Sequence, residues 1–130
     1  MRPIVEVTLN GKKLNAVLNT GSRRSYILKK YAKNFPRVEV EPFEALIGGR
    51  RLKFKEARFI HGIIKDTSGR SYKFAEKMFE IEDLGEENGK KIDLLFGAIT
   101  LEDWGTVIDE NKMPPEVDFK LLRKGKLVEL

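Results

Sequence analysis

Cysteine and glutamine are both missing from these 130 residues, and histidine occurs once, at position 61. Without cysteine there is no disulfide scaffold, no Cys-ligated zinc and no thiol nucleophile. His61 follows an apolar pair and has no partner at metal-ligand spacing, and zinc needs three or four ligands. It is expected to be a packed or surface histidine. No G-x-x-x-x-G-K stretch is present to cradle phosphates, and one histidine beside no matching triad offers no Ser-His-Asp site. No metal and no cofactor are therefore expected. Long apolar runs are also lacking, and nothing approaches the ~20 residues of a membrane helix. Met1-Arg2-Pro3 leads directly into an alternating pattern with no apolar signal region, so a cytoplasmic protein is expected.

What is abundant is charge. Lys, Arg, Asp and Glu make up 35% of the chain, 25 basic against 20 acidic, for a formal net charge of +5. The basic residues come as isolated doublets, among them Lys12-Lys13, Arg23-Arg24 and Arg50-Arg51, interspersed with acids. Mixed signs describe a solvated surface. A small basic β-barrel that binds nucleic acid is the alternative, and it predicts affinity that falls steeply with salt. Abundant ions without glutamine also suit a hyperthermophile; a low melting temperature would refute that expectation.

With 41% hydrophobic residues and 130 in all, the chain reads as one domain, residues 1–130, large enough for an ordinary core. Ile4 to Leu9 alternates with period two, placing Val5, Val7 and Leu9 on one face. Asn10-Gly11 then signals a tight hairpin, because both residues accept positive φ. Leu14, Ala16 and Leu18 continue the apolar face into Asn19-Thr20-Gly21-Ser22. Leu28, Tyr31, Ala32 and Phe35 have helical spacing, with Pro36 as the stop. Ala45-Leu46-Ile47 and Arg50 to Phe54 flank Gly48-Gly49 as a second hairpin. Asp66-Thr67-Ser68-Gly69 reads as a hairpin tip, and residues 85–89 as a polar loop. Ile92 to Gly97 is an almost continuous apolar run, which marks a buried strand. Thr100 to Asp103 has capping-box spacing at the start of a short helix closed by Gly105. Leu101 and Trp104 lie on its inner face. Residues 126–130 form a last strand-like segment. Short strands with turns every 8–12 residues describe a sandwich or barrel.

Three stretches stand in a telling order: Ala16-Val17-Leu18-Asn19-Thr20-Gly21-Ser22, then Ile47-Gly48-Gly49, then Asp93-Leu94-Leu95-Phe96-Gly97-Ala98-Ile99-Thr100-Leu101. Together they resemble the retropepsin-like family, the single-lobe relatives of pepsin-type aspartic proteases. In that family an apolar strand runs into Asp-Thr/Ser-Gly, a glycine-bearing hairpin forms a flap, and a later hydrophobic-hydrophobic-Gly strand opens a helix. The agreement in order spans roughly residues 4–109.

The resemblance implies an all-β, closed or partly closed barrel with two short helices and one lobe per chain. It implies a homodimer whose cleft takes an extended peptide, with strand-like termini pairing at the interface. Asn19 stands where the family has its catalytic Asp. The family's two carboxylates share one proton, and asparagine cannot ionise. Thr20 would bond across the two lobes, and Gly21 would let a backbone amide approach residue 19. Ser22, Ile47, Gly48 and Gly49 would contact substrate. The form written here is thus expected to be an inactive or severely impaired endopeptidase, either a silenced mutant or a natural pseudoprotease. A plain surface turn at residues 19–22 and an ordinary hairpin at Gly48-Gly49 are the competing readings. A non-catalytic peptide-binding dimer and a purely structural dimer complete the alternatives. With a single copy of the turn in 130 residues, a second lobe has to come from a second chain.

Overall fold

The computed structural model describes residues 2–124. It is mostly β. Strand β1 (Ile4–Leu9) turns through Asn10-Gly11 into β2 (Lys12–Leu18), with φ of 49° and 79° at the two turn residues. The hairpin and its apolar face are as the alternation predicts: Val5, Val7, Leu9, Leu14, Ala16 and Leu18 are all buried. Next come β3 (Tyr26–Leu28), α1 (Lys29–Ala32), β4 (Arg37–Ile47), β5 (Arg50–Lys65) and β6 (Ser71–Ile81). A two-residue ribbon, β7 (Glu86–Glu87) and β8 (Lys90–Lys91), occupies the segment expected to be a plain loop. Then follow β9 (Leu94–Phe96), α2 (Ala98–Asp103), β10 (Thr106–Asp109), β11 (Glu116–Phe119) and α3 (Lys120–Lys124).

Six strands close a barrel in the order β1-β2-β9-β3-β6-β5, and β5 returns to β1. The closing contact pairs Val7 with Ile64 and Thr8 with Ile63. Gly62 makes this closure possible: a Cβ there would sit 2.5 Å from the Thr8 carbonyl oxygen and 2.5 Å from a Leu9 methyl. β5 serves two structures. Its second half pairs with β6 inside the barrel, while Arg50 to Arg58 pairs with β4. β4 has no partner on its other side among the described residues. The β4–β5 hairpin therefore extends from the barrel, with a register shift between Glu39 and Phe43. Pro42 falls in that irregular stretch, where its missing N–H breaks no ladder bond.

The apolar side chains form two clusters. One fills the barrel and includes Val7, Leu18, Ile60, Phe96, Trp104 and Phe119. The other lies toward the hairpin and includes Val17, Tyr26, Phe54, Phe79 and Leu95. β2 and β9 face both, since Leu18 and Phe96 enter the first while Val17 and Leu95 enter the second. That two-sided burial is why β9 reads as a continuous apolar run rather than an alternation. Trp104 stands in the core against Phe74, Phe96 and Phe119.

Three expectations need correction. The helix drawn from Leu28 to Phe35 is a single turn, because Leu28 is claimed by β3, pairing with Ile81 and donating to the Asp93 carbonyl. α2 begins at Ala98 rather than at a Thr100 cap, and Gly97 caps it without a side chain. Its first N–H groups instead meet backbone carbonyls of a neighbouring loop, leaving Thr100 inside the helix. Finally, three short helices occur among the described residues, not two. α3 docks where the Leu121 N–H donates to the Trp104 carbonyl, and Leu122 packs on the barrel core. Five residues are too few to show helical periodicity. The expected strand at 126–130, and its pairing at an interface, lie outside the described residues.

Candidate functional site

β2 and β9 run parallel, with Leu18 beside Phe96. Just past their ends the Asn19 N–H donates to the Phe96 carbonyl (3.0 Å), so Asn19 is pinned at the mouth of two buried strands. The Asn19 Oδ1 accepts the Gly21 N–H at 3.0 Å, and the Ser22 N–H closes the turn on the Asn19 carbonyl at 3.1 Å. A backbone N–H needs an acceptor, which fixes the amide orientation: Oδ1 faces Gly21 and Nδ2 takes the other side. Nδ2 has no hydrogen bond among the described residues. A Cβ on Gly21 would lie 3.2 Å from Oδ1, tighter than an ordinary contact.

The turn is held from below. Ser22 Oγ donates to the Arg24 carbonyl at 2.9 Å. The Ala98 and Ile99 N–H groups of α2 donate to the Ser22 and Arg23 carbonyls at 2.6 and 3.2 Å. Gly97 permits this approach, because a Cβ there would meet the Arg24 carbonyl oxygen at 2.2 Å and that of Ser22 at 2.7 Å. A buried relay then runs sideways. The Gly97 N–H donates to Ser25 Oγ (3.0 Å), Ser25 Oγ lies 2.7 Å from Thr100 Oγ1, and Thr100 donates to Glu76 Oε1 (3.0 Å). Burial pushes the Glu76 carboxyl above its ordinary range; the Thr100 hydroxyl opposes this, Asp103 adds to it and Lys77 opposes it.

Over the turn lies a cavity of about 900 Å³. Its walls bring together Asn19, Gly21 and Ser22 from the turn with Ile47 and Gly48 from the hairpin tip. Thr20 and Gly49 are exposed beside it rather than in its wall. Gly48 and Gly49 have φ of 58° and 78°, so the pair makes a tight turn of the kind that glycine accepts freely. The sequence reading missed the floor: Val17, Tyr26, Phe54 and Leu95 also line the cavity. It also missed Arg24, whose guanidinium sits 3.7 Å from the Phe43 ring centroid and ties the turn's loop to β4. Burial raises the Tyr26 hydroxyl pKa, and Arg24 partly offsets this.

Asp66 and His61 stand apart from this cavity. Asp66 binds its own turn, accepting from the Ser68 N–H, the Ser68 hydroxyl, the Arg70 N–H and the Tyr72 hydroxyl. His61 is exposed and edge-on to Phe35, with ring centroids 5.4 Å apart. No group of three metal-ligating side chains comes together among the described residues. No helix among them is long and apolar enough to cross a membrane. Chemically, the site offers a backbone-pinned amide at the floor of a cleft, covered by a hairpin whose outer edge is unpaired among the described residues. No protein-family model matches this chain, and no curated protein matches it.

Proposed function

We propose that this chain is an acid-protease scaffold of the retropepsin type, silenced at its catalytic position. In this reading two copies build one cleft that holds an extended peptide, and Asn19 in both leaves the cleft without a base. The observation that carries the reading is one juxtaposition. The Asn19 turn leaves a strand parallel to β9, rests on Gly97, and faces a glycine-tipped hairpin across a single cavity.

The chemistry follows from the amide. In a peptidase of this type an ionised carboxylate removes a proton from water while its partner polarises the peptide carbonyl. Asn19 keeps the turn, because its Oδ1 accepts the Gly21 N–H as a carboxylate oxygen would. Its Nδ2 is a donor where the second carboxylate oxygen would accept water. Loss of a general base costs about 10²–10⁴ in rate, and two members of one cooperating unit are lost together. Binding needs no carboxylate. An extended peptide can add to a free strand edge through main-chain hydrogen bonds, and the outer side of β4, unpaired among the described residues, is such an edge. The exposed hydroxyl of Thr20 makes no hydrogen bond among the described residues, which suits a contact across a two-fold axis.

The test exploits the missing cysteine. Thr20→Cys introduces the only thiol in the chain. If two turns meet at an axis, the Cα atoms of the two residues at position 20 are expected to fall near the ~4.4–6.8 Å separation that a disulfide spans. Mild oxidation then yields a reducible species of about twice 14.9 kDa. A monomeric mass in sedimentation equilibrium, with no cross-link, refutes the reading.

A further inference from the structure

Three of the four carboxylates in the cleft wall face a cation, and the fourth, Asp83, is bound only to a backbone N–H of its own turn. Glu44 faces Arg51 and Lys53, Glu80 binds Arg58, Glu82 faces Lys29 at 3.7 Å, and Asp83 accepts the Gly85 N–H at 2.8 Å. Three cations in the same wall, Arg23, Arg24 and Arg50, have no carboxylate partner among the described residues. Arg23 follows the Asn19 turn directly, with its carbonyl held by Ile99. Arg50 begins β5 beside the hairpin tip, opposite Ile47. Arg24 lies over Phe43. The unneutralised charge thus stands on both the floor and the cover of the cleft. Between these positions the lining is apolar, with Val17, Ile47, Leu52, Phe54 and Leu95.

We propose that the cleft selects peptides with an apolar centre flanked by acidic side chains, whose carboxylates are received by Arg23 and Arg50, with Arg24 holding the cover in place. This rests on the peptide-cleft reading above and adds its ligand class. Arginine presents a planar fork that matches a carboxylate in bidentate geometry. A partly enclosed cleft whose three arginines unpaired among the described residues outnumber the one carboxylate without a cation, Asp83, also concentrates a positive field on an incoming ligand. Two-fold symmetry would place one such set on each side of the peptide's centre.

The test uses the full chain as written and three dye-labelled peptides with the same apolar centre. One is flanked by glutamate, one by serine and one by lysine. Fluorescence anisotropy at low salt is expected to show the glutamate peptide binding ~10-fold or more tighter than the serine peptide, through several partly screened ion pairs. At 1 M salt, where charges are screened within about 3 Å, the preference should vanish. The double variant Arg23→Glu/Arg50→Glu should bind the lysine peptide best. Lys13→Glu/Lys112→Glu changes net charge equally with exposed residues outside the cleft wall, and should keep the glutamate preference. Urea midpoints of both double variants verify that they fold. Equal affinity for the glutamate and serine peptides overturns the proposal while leaving a peptide cleft standing. An equal loss in both double variants also overturns it, since net charge alone would then explain the preference. Displacement of the glutamate peptide by single-stranded DNA at low micromolar concentration overturns it in favour of a nucleic-acid ligand. Failure to bind all three peptides overturns it as well. The Thr20→Cys cross-link, which needs no peptide, then decides separately whether the dimeric cleft exists.

Discussion

Gly97→Ala is the sharpest perturbation of the scaffold under the turn. Gly97 has φ −94° and ψ −177°, which alanine adopts without strain. Were the space empty, the substitution would stabilise the protein by about 0.4–1 kcal/mol through the unfolded chain. The space is occupied: the new methyl meets the Arg24 carbonyl oxygen at 2.2 Å, the Arg24 carbonyl carbon at 2.8 Å and the Ser22 carbonyl oxygen at 2.7 Å. All three are backbone atoms and none can swing aside. The loop must retreat by roughly 1 Å to reach an ordinary contact distance. Overpacking of this kind costs about 1–3 kcal/mol. The retreat also weakens the Ala98–Ser22, Ile99–Arg23 and Gly97–Ser25 hydrogen bonds, at roughly 1 kcal/mol each. The expected loss is about 3–5 kcal/mol, or roughly 10–20 °C in melting temperature for a domain of this size. Urea unfolding followed by the fluorescence of Trp104, the only tryptophan, measures it. A variant as stable as the parent, or more stable, refutes the packing of the turn against β9 and α2.

Other outcomes follow from the same geometry. Gly62→Ala should cost about 1–3 kcal/mol by overpacking, because its methyl meets the Thr8 carbonyl at the barrel closure; an unchanged urea midpoint contradicts the closure. Arg58 is buried, pairs with the partly exposed Glu80 and donates to the Phe35 carbonyl at 2.7 Å, so Arg58→Ala should destabilise by about 1–3 kcal/mol through the uncompensated Glu80 and the lost carbonyl bond. Equal stability of Arg58→Ala and Arg58→Ala/Glu80→Gln would argue against the Glu80 contribution. Glu76, its pKa raised chiefly by burial, is favoured in its neutral form, so its cost to stability is absent below the unfolded value of 4.5 and grows as pH rises through the folded value. Glu76→Gln should flatten that part of the stability–pH curve; identical slopes in the two proteins rule the effect out. Asp66 behaves oppositely. Burial works against its charge, but its hydrogen bonds win and lower the pKa. Its contribution is full above 3.8 and lost as pH falls through the folded value. Asp66→Asn should therefore destabilise by about 1.5–3 kcal/mol at pH 7 and progressively less in acid, as read from urea midpoints.

Much of this fold is legible in the residues because its signals are local. Asn10-Gly11, Gly48-Gly49 and the Asp66 turn each sit where their chemistry puts them, and the alternation from Val5 to Leu18 survives as one buried face. The misreadings share one cause, a tertiary partner that outcompetes a local pattern. Leu28 has helical spacing to Tyr31, but its pairing with Ile81 of β6 and its N–H bond to the Asp93 carbonyl claim it. Thr100 has the spacing of a cap, but Ser22 and Arg23 carbonyls satisfy the helix's first N–H groups. No spacing rule reports that a loop of far-off sequence number will lie there. At the site, the turn and hairpin residues are visible as motifs. Arg23, Arg24 and Arg50 read only as surface doublets, because their want of acidic partners emerges only when the cleft is assembled.

In the proposed reading, residue 19 alone separates a peptide cleft from a peptidase. Asn19→Asp introduces a carboxylate, with one oxygen still able to accept the Gly21 N–H. The direct measurement incubates both forms with an unstructured protein at pH 4–6, where a shared-proton carboxylate pair is expected to be poised, with and without a statine-type transition-state analogue. Cleavage by the aspartate form alone, abolished by the analogue, is the expected result. An aspartate form that folds, remains monomeric and cuts nothing contradicts it.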